Sequence, residues 1–237
     1  MVQRLSAAIS ILLMSVLSLT AQEKSSVSVM GMYGWNETWQ SHGGADISGV
    51  FPVRRHFEAL GAAEYLSPGV FSVAGTARPK FPLKTGEIFI DGTVHYRNYS
   101  NYGIGDLNLA ASAGYRMDYV SVQVGITSHF SIDTERTSGS ASENITEPVN
   151  LLYKVYFNVR PASCAWNAGA GLANYTDYEY ERTWQPMYFA HAHYDISNRL
   201  SILLRADLKP AGAFHLNAEF WGVDIRTGIR YTFGYER

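Results

Sequence analysis

One pattern limits what this chain can fold into more than any other. Along stretches of about ten residues, apolar and polar side chains exchange places at almost every step. In "GVDIRTGIRYTF", Val223, Ile225, Thr227, Ile229, Tyr231 and Phe233 share one side of an extended strand, while Asp224, Arg226, Gly228, Arg230 and Thr232 share the other. A period of two marks a strand with two chemically different faces.

The pattern recurs upstream. Ile88, Ile90, Val94 and Tyr96 alternate with Glu87, Asp91, His95 and Arg97; Leu107, Leu109, Ala111, Ala113 and Tyr115 with Asp106, Asn108, Ser112 and Arg116. Val120, Val122, Val124 and Ile126 alternate with Ser121, Gln123 and Thr127; Leu200, Ile202, Leu204, Ala206 and Leu208 with Ser201, Arg205, Asp207 and Lys209. Helical periodicity is nearly absent. Such segments, closed by Gly, Pro, Asn, Asp or Ser, predict strands near 26–35, 43–53, 56–66, 70–81, 87–98, 104–116, 119–132, 148–160, 164–181, 186–197, 199–209 and 221–233. No linker or fixed-period repeat divides them, so residues 22–237 read as one all-β domain.

The connections carry their own signal. "VRR", "FPLKTG", "RMD", "RPAS" and "SNR" follow the even-numbered strands and are short; "NETWQSHG", "NYSNYG", "DTERTSGSASENITEP" and "PAGAFHLNAEF" follow odd-numbered ones and are longer, with "SPG" and "TWQP" as brief exceptions. An even strand count with short turns at one end and longer loops at the other is the asymmetry of an outer-membrane barrel. The expected architecture is a closed antiparallel up-and-down transmembrane β-barrel of twelve strands, with ten or eight as alternatives.

The N-terminus agrees with export. Arg4 precedes the apolar run "AAISILLMSVLSL", and "LTAQ" offers a cleavage point after Ala21, so residues 1–21 read as a signal peptide. The run is too short to span a bilayer comfortably. The chain of 237 residues has a net charge of -2 and no basic run beyond Arg54-Arg55, which gives no sign of nucleic acid as a partner. A single cysteine, Cys164, excludes an intrachain disulfide framework and multi-cysteine metal sites.

Which face meets water is the decisive question. A soluble sandwich or lipocalin-like barrel would turn the oily face inward, but twelve strands closed that way leave a bore too wide for side chains to fill. Aromatic residues also gather toward strand ends: Tyr33, Trp35, Tyr96, Phe130, Tyr178, Tyr180, Trp184, Tyr188 and Trp221 near the long loops, Phe51, Phe81, Tyr115, Tyr119, Tyr194, Tyr231 and Phe233 near the short turns. Two such belts are expected where a barrel crosses both lipid–water interfaces.

The last strand adds a resemblance. "RTGIRYTF" resembles the closing-strand signal of Gram-negative bacterial outer-membrane β-barrel proteins, with Arg226, Gly228, Tyr231 and Phe233 at the polar, glycine and two aromatic positions. The resemblance implies recognition by the barrel-assembly machinery, outer-membrane lipid as surroundings, and both termini in the periplasm.

With lipid outside, the polar face lines the lumen. Its predicted charged and imidazole lining comprises Glu87, Asp91, His95, Arg97, Asp106, Arg116, Lys154, Arg160, His191, His193, Asp195, Arg205, Asp207, Asp224, Arg226 and Arg230, joined by Asp46, Glu58, Glu64, Arg78, Lys80, Asp177 and Lys209. The two signs are nearly balanced, which predicts a lattice of lumenal pairs more than a ring of one sign. His191, His193 and Asp195 share a face, but the spacing places no further ligand, so no metal or other cofactor is assigned; His56 is a further inward candidate.

Three functions fit. The first is a narrow conduit for passive transport of small polar solutes. The second is a plugged structural barrel, or one whose loops "NETWQSHGG" and "DTERTSGSASENITEP" contact a partner. The third is lipid or acyl hydrolysis: "HFS" sets His129 and Ser131 on one face, Glu143 follows, and outer-membrane phospholipases and lipid A deacylases carry a similar His-x-Ser. Those families continue with Asn where this chain has Ile132, and alternation turns the pair toward the lumen, away from lipid esters.

Overall fold

The structure is a computed structural model that describes residues 24–36, 40–67, 69–101, 103–133, 146–159, 164–175, 186–210 and 222–234. The strands are β1 (Ser25–Asn36), β2 (Gln40–Arg54), β3 (Phe57–Leu66), β4 (Val70–Leu83), β5 (Gly86–Tyr99), β6 (Ile104–Arg116), β7 (Val120–Asp133), β8 (Thr146–Val159), β9 (Trp166–Ala173), β10 (Met187–Asp195), β11 (Leu200–Lys209) and β12 (Gly222–Phe233). Each pairs antiparallel with the next, and β1 pairs with β12 from Ser25↔Phe233 to Asn36↔Gly222. The barrel is closed with twelve strands, so no sheet edge is left unpaired. In hydrocarbon that closure is obligatory, because an unsatisfied amide there costs several kcal/mol.

The faces divide as alternation predicts. Val122, Leu204 and Ile229 are 43%, 51% and 52% exposed on the outer wall, whereas Arg97 and Arg226 are each 6% exposed inside. Tyr33, Trp35, Tyr65 and Tyr188 are exposed on the outer wall toward one rim; Phe81, Tyr119, Trp166, Tyr194 and Tyr231 are exposed toward the other. The aromatic belts therefore surround an aliphatic band.

β1 begins and β12 ends at one rim, which also carries the turns 55–56, 84–85, 117–119 and 196–199. At the opposite rim β1, β3, β5, β7, β9 and β11 end and β2, β4, β6, β8, β10 and β12 begin. Here one expectation is corrected. "NETWQSHGG" is not a long loop: Asn36 ends β1, Gln40 starts β2, and Asn36↔Gln40 is the last pair of their ladder. Gln40, the first residue of β2, has a φ of 54°, in the left-handed region. Residues 134–145 of the other loop, with residues 1–23, Arg160, Asp177, Tyr178, Tyr180, Trp184 and Trp221, lie outside the described residues.

Two more differences concern the interior. His56 is exposed in the turn between β2 and β3 and does not point inward. The lumen also holds apolar groups beside its charges: Phe89 and Leu152 are fully buried there, and Met32, Leu66 and Val70 form a cluster with Tyr99 packed on it. Alternation is a tendency of a strand, and an apolar residue at an inward position is tolerated wherever another inner side chain covers it.

Candidate functional site: the lumen

Strands of period two bring the inward polar residues of distant segments onto one concave wall. Around β12, Arg226 Nη1 lies 3.0 Å from Asp46 Oδ2 and 2.7 Å from Glu64 Oε1, with Nε 3.7 Å from Asp207 Oδ2. Arg205 donates to Asp207 from Nε at 2.9 Å and from Nη2 at 2.8 Å. Across the ladder Arg205 faces Arg226 and Asp207 faces Asp224. Like charges directly opposite repel, so the favourable contacts run diagonally or along one strand. Asp224 in turn lies 2.9 Å from His42 Nε2.

A second group occupies β3 to β7. Arg78 grips Asp91 with two bonds, Nε to Oδ1 at 2.7 Å and Nη2 to Oδ2 at 2.8 Å. Gln123 Nε2 also donates to Asp91 Oδ2 at 2.8 Å and to Ser112 Oγ at 2.6 Å. Lys80 binds Glu58 at 2.6 Å, and Arg116 binds Glu87 at 2.9 Å. The Phe89 ring lies between two guanidinium groups, 4.9 Å from Arg78 Cζ and 5.0 Å from Arg116 Cζ. Gly114 makes room for it, since a Cβ there would run into that ring.

On β8 to β11, Tyr156 Oη lies 2.7 Å from His191 Nε2, and its ring stacks on Phe189 and His191. Lys154 Nζ is 5.7 Å from the Tyr175 ring and 5.5 Å from the Phe189 ring, within cation–π range. His193 is 4.0 Å from Asp195, which accepts a 2.6 Å bond from Ser201 Oγ. Among the described residues, no group of three or more His, Cys, Asp or Glu side chains is placed to hold a metal.

Toward the opposite rim, Arg97 covers the Tyr99 ring at 5.4 Å, Asn108 Nδ2 lies 3.3 Å from His95 Nδ1, and His129 Nε2 lies 3.2 Å from Asp106 Oδ1. His129 is buried on the lumenal wall, Ser131 pairs with Asp106 in the β6–β7 ladder, and Glu143 lies outside the described residues. The His-x-Ser pair thus belongs to a strand whose apolar face, with Val122, Val124 and Ile126, is the one exposed outside.

Between these groups lies a cavity of about 330 Å³. Ser26, Ser28, Ser48, Ala62, Ala74 and Thr76 line it on the side of small residues, and Arg78, Asp91, Lys154 and Arg230 add charge. Sequence reading overlooked Gln123, His42 and Tyr156 as network members. Gln123 was legible as an inward position, and so was Tyr156, which shares its face with Lys154 and Asn158; His42 lay in a segment read as a loop.

The closing-strand residues take different environments. Arg226 is in the lumen, Gly228 sits where a Cβ would strike β1, Tyr231 is exposed on the outer wall, and Phe233 lies 6.4 Å from Phe51, ring to ring.

No protein-family model matches the sequence, and no curated protein matches it. Solved structures do share the barrel. The KdgM porin is 10% identical with a TM-score of 0.52, over 87% of this chain and 99% of that one. The translocator domain of the autotransporter NalP from Neisseria meningitidis is 12% identical with a TM-score of 0.55, over 98% of both chains. The chain has the fold of bacterial outer-membrane β-barrel proteins. These neighbours support the outer membrane as its location. Outer-membrane phospholipase A from Escherichia coli shares the barrel as well, at 7% identity and a TM-score of 0.50, over 91% of this chain and 96% of that one. A porin, a translocator and a phospholipase on one barrel show that the outer-membrane fold leaves activity to the site it carries.

Proposed function

We propose that this protein is a narrow outer-membrane channel for passive passage of small polar solutes. Both termini then lie in the periplasm, and the rim with the longer connections faces outward. The observation that carries this reading is the polar cavity inside a closed barrel, beside ion pairs that hug the wall. Glu58–Lys80, Arg78–Asp91 and Glu87–Arg116 each join neighbouring strands, and Arg205–Asp207 lies within one strand. Pairs that run along the wall stiffen it and leave space beside them for water and solute. The KdgM porin, a fold neighbour, is described in a complex with disordered oligogalacturonate, which agrees with a barrel of this kind admitting a polar solute.

A plugged structural barrel is favoured by one feature, the Met32, Leu66 and Val70 cluster inside the wall. Planar-bilayer recording of the purified barrel separates the two. Resolved conductance steps support the channel; a silent, correctly folded barrel overturns it in favour of the plugged form.

A further inference from the structure

We infer that the rim at which β1 begins is a docking surface for anionic phospholipid headgroups. For the periplasmic leaflet this rests on the orientation proposed above; for binding it stands alone. Arg54 ends β2 and Arg55 follows it, Lys84 lies in the turn between β4 and β5, and Arg199 in the turn between β10 and β11; all four are exposed. None of their side chains forms an ion pair or a hydrogen bond among the described residues. Around the barrel they occupy successive turns on either side of β1, an arc of one sign.

The neighbouring charges do not cancel this set. Glu58 is bound by Lys80, Glu87 by Arg116, and Asp195 by the Ser201 hydroxyl, all on the inner wall. Asp118, exposed in the turn between β6 and β7, is the one carboxylate in the described turns of this rim. Lys24, beside the start of β1, already has a partner and adds nothing to the excess. Four cations thus stand against one anion. Among the described residues, the connections at the other rim carry no Lys, Arg, Asp or Glu. The whole chain has a net charge of -2, so the basic rim does not follow from composition.

Depth decides the partner. The turns 55–56 and 84–85 are two residues long, so their cations stay close to the strand ends. Beside the cations the outer wall is apolar: Phe81 and Leu83 precede Lys84, Ile196 shares a turn with Arg199, and Tyr231 lies across the ladder from Leu200, and all four of these apolar residues are exposed. Such side chains enter the acyl boundary, and long cationic side chains on their margin lie at the height of the headgroups. A lipid surface of negative charge attracts each of them within a Debye length, about 10 Å in dilute salt. A guanidinium also matches phosphate oxygens in pairs, and in a zwitterionic headgroup the lipid's own ammonium competes for that phosphate.

The test places the full-length mature barrel in phosphatidylcholine vesicles with a trace of spin-labelled phosphatidylglycerol or spin-labelled phosphatidylcholine. Electron paramagnetic resonance reads the fraction of each label immobilised on the wall. Phosphatidylglycerol is expected to be preferred about threefold in dilute salt, with the preference lost near 1 M salt. It is expected to vanish in Arg54→Gln/Arg55→Gln/Lys84→Gln/Arg199→Gln, to persist in Arg54→Lys/Arg55→Lys/Arg199→Lys, and to rise in Asp118→Asn. Equal association of the two lipids, or a preference that survives the fourfold glutamine variant, overturns the site. Absence of any lipid preference, with capture of soluble polyglutamate that the fourfold variant loses, assigns the rim to an acidic protein and overturns the lipid. Cys164, exposed at the same rim, reports the leaflet. Its labelling by a bulky impermeant maleimide only after lysis supports the periplasmic side; labelling in intact cells, with the lipid preference intact, keeps the site and overturns the orientation. Heat-shifted gel mobility of each variant establishes that it has folded.

Discussion

Arg226 Nη1, on the last strand, lies 2.7 Å from Glu64 Oε1 on the third, reaching past β1 and β2 along the inner wall. The same nitrogen also meets Asp46 at 3.0 Å. One guanidinium thus draws the two ends of the sheet together on the inside, where β1 and β12 close the barrel by backbone pairing. Arg226→Met leaves Asp46 and Glu64 buried without that cation. The expected cost is about 3 kcal/mol, typical of breaking a buried ion pair from one side. Urea titration of the barrel in vesicles measures it, and Asp46→Asn/Glu64→Gln in the same background should recover part of the loss.

Leu204 probes the opposite wall. It lies mid-strand and is exposed on the outer face. Leu204→Arg is expected to destabilise the vesicle-embedded barrel by about 2–4 kcal/mol, the cost of Arg near the bilayer midplane. A variant as stable as the parent would place this face in water and contradict the membrane assignment.

Gly114 tests the packing inside. Its missing side chain is the space taken by the Phe89 ring, which Arg78 and Arg116 flank. Gly114→Val forces the ring aside, and an overpacked site of this kind costs about 1–3 kcal/mol. Phe89→Ala combined with Gly114→Val is expected to be more stable than Gly114→Val alone, because the clash is gone; a double-mutant cycle in urea reads the coupling.

Tyr231 and Phe233 separate two roles within the closing strand. Tyr231 is exposed outside, while Phe233 packs near Phe51. Tyr231→Ala is expected to slow assembly in cells with little change in the stability of barrel refolded in vitro. Phe233→Ala should lower both. Pulse-labelled heat-modifiable barrel in outer-membrane fractions gives the first readout, and urea midpoints give the second.

His129 is committed to Asp106 on the lumenal wall. Ser131→Ala is therefore expected to leave the barrel's behaviour toward phospholipid unchanged in an ester-release assay. A Ser131-dependent release would restore the hydrolase reading.

The twelve strands and the division between lipid face and lumen were legible in the chain, because both follow from a local two-residue period that each segment carries by itself. Strand parity also put Asp207, Asp224 and Arg226 on one face. Which of them meet was not legible: Arg226 faces Arg205 in register yet bonds Asp46 and Glu64, from segments remote in sequence. That choice depends on how closure staggers β1, β2 and β3 beside β12. The contacts of Phe89 with Arg78 and Arg116, and the grouping of residues around the cavity, emerge only at the same level. A strand specifies which way its side chains point; their partners across a curved wall are set by the tilt and register of the closed barrel, which no single segment contains.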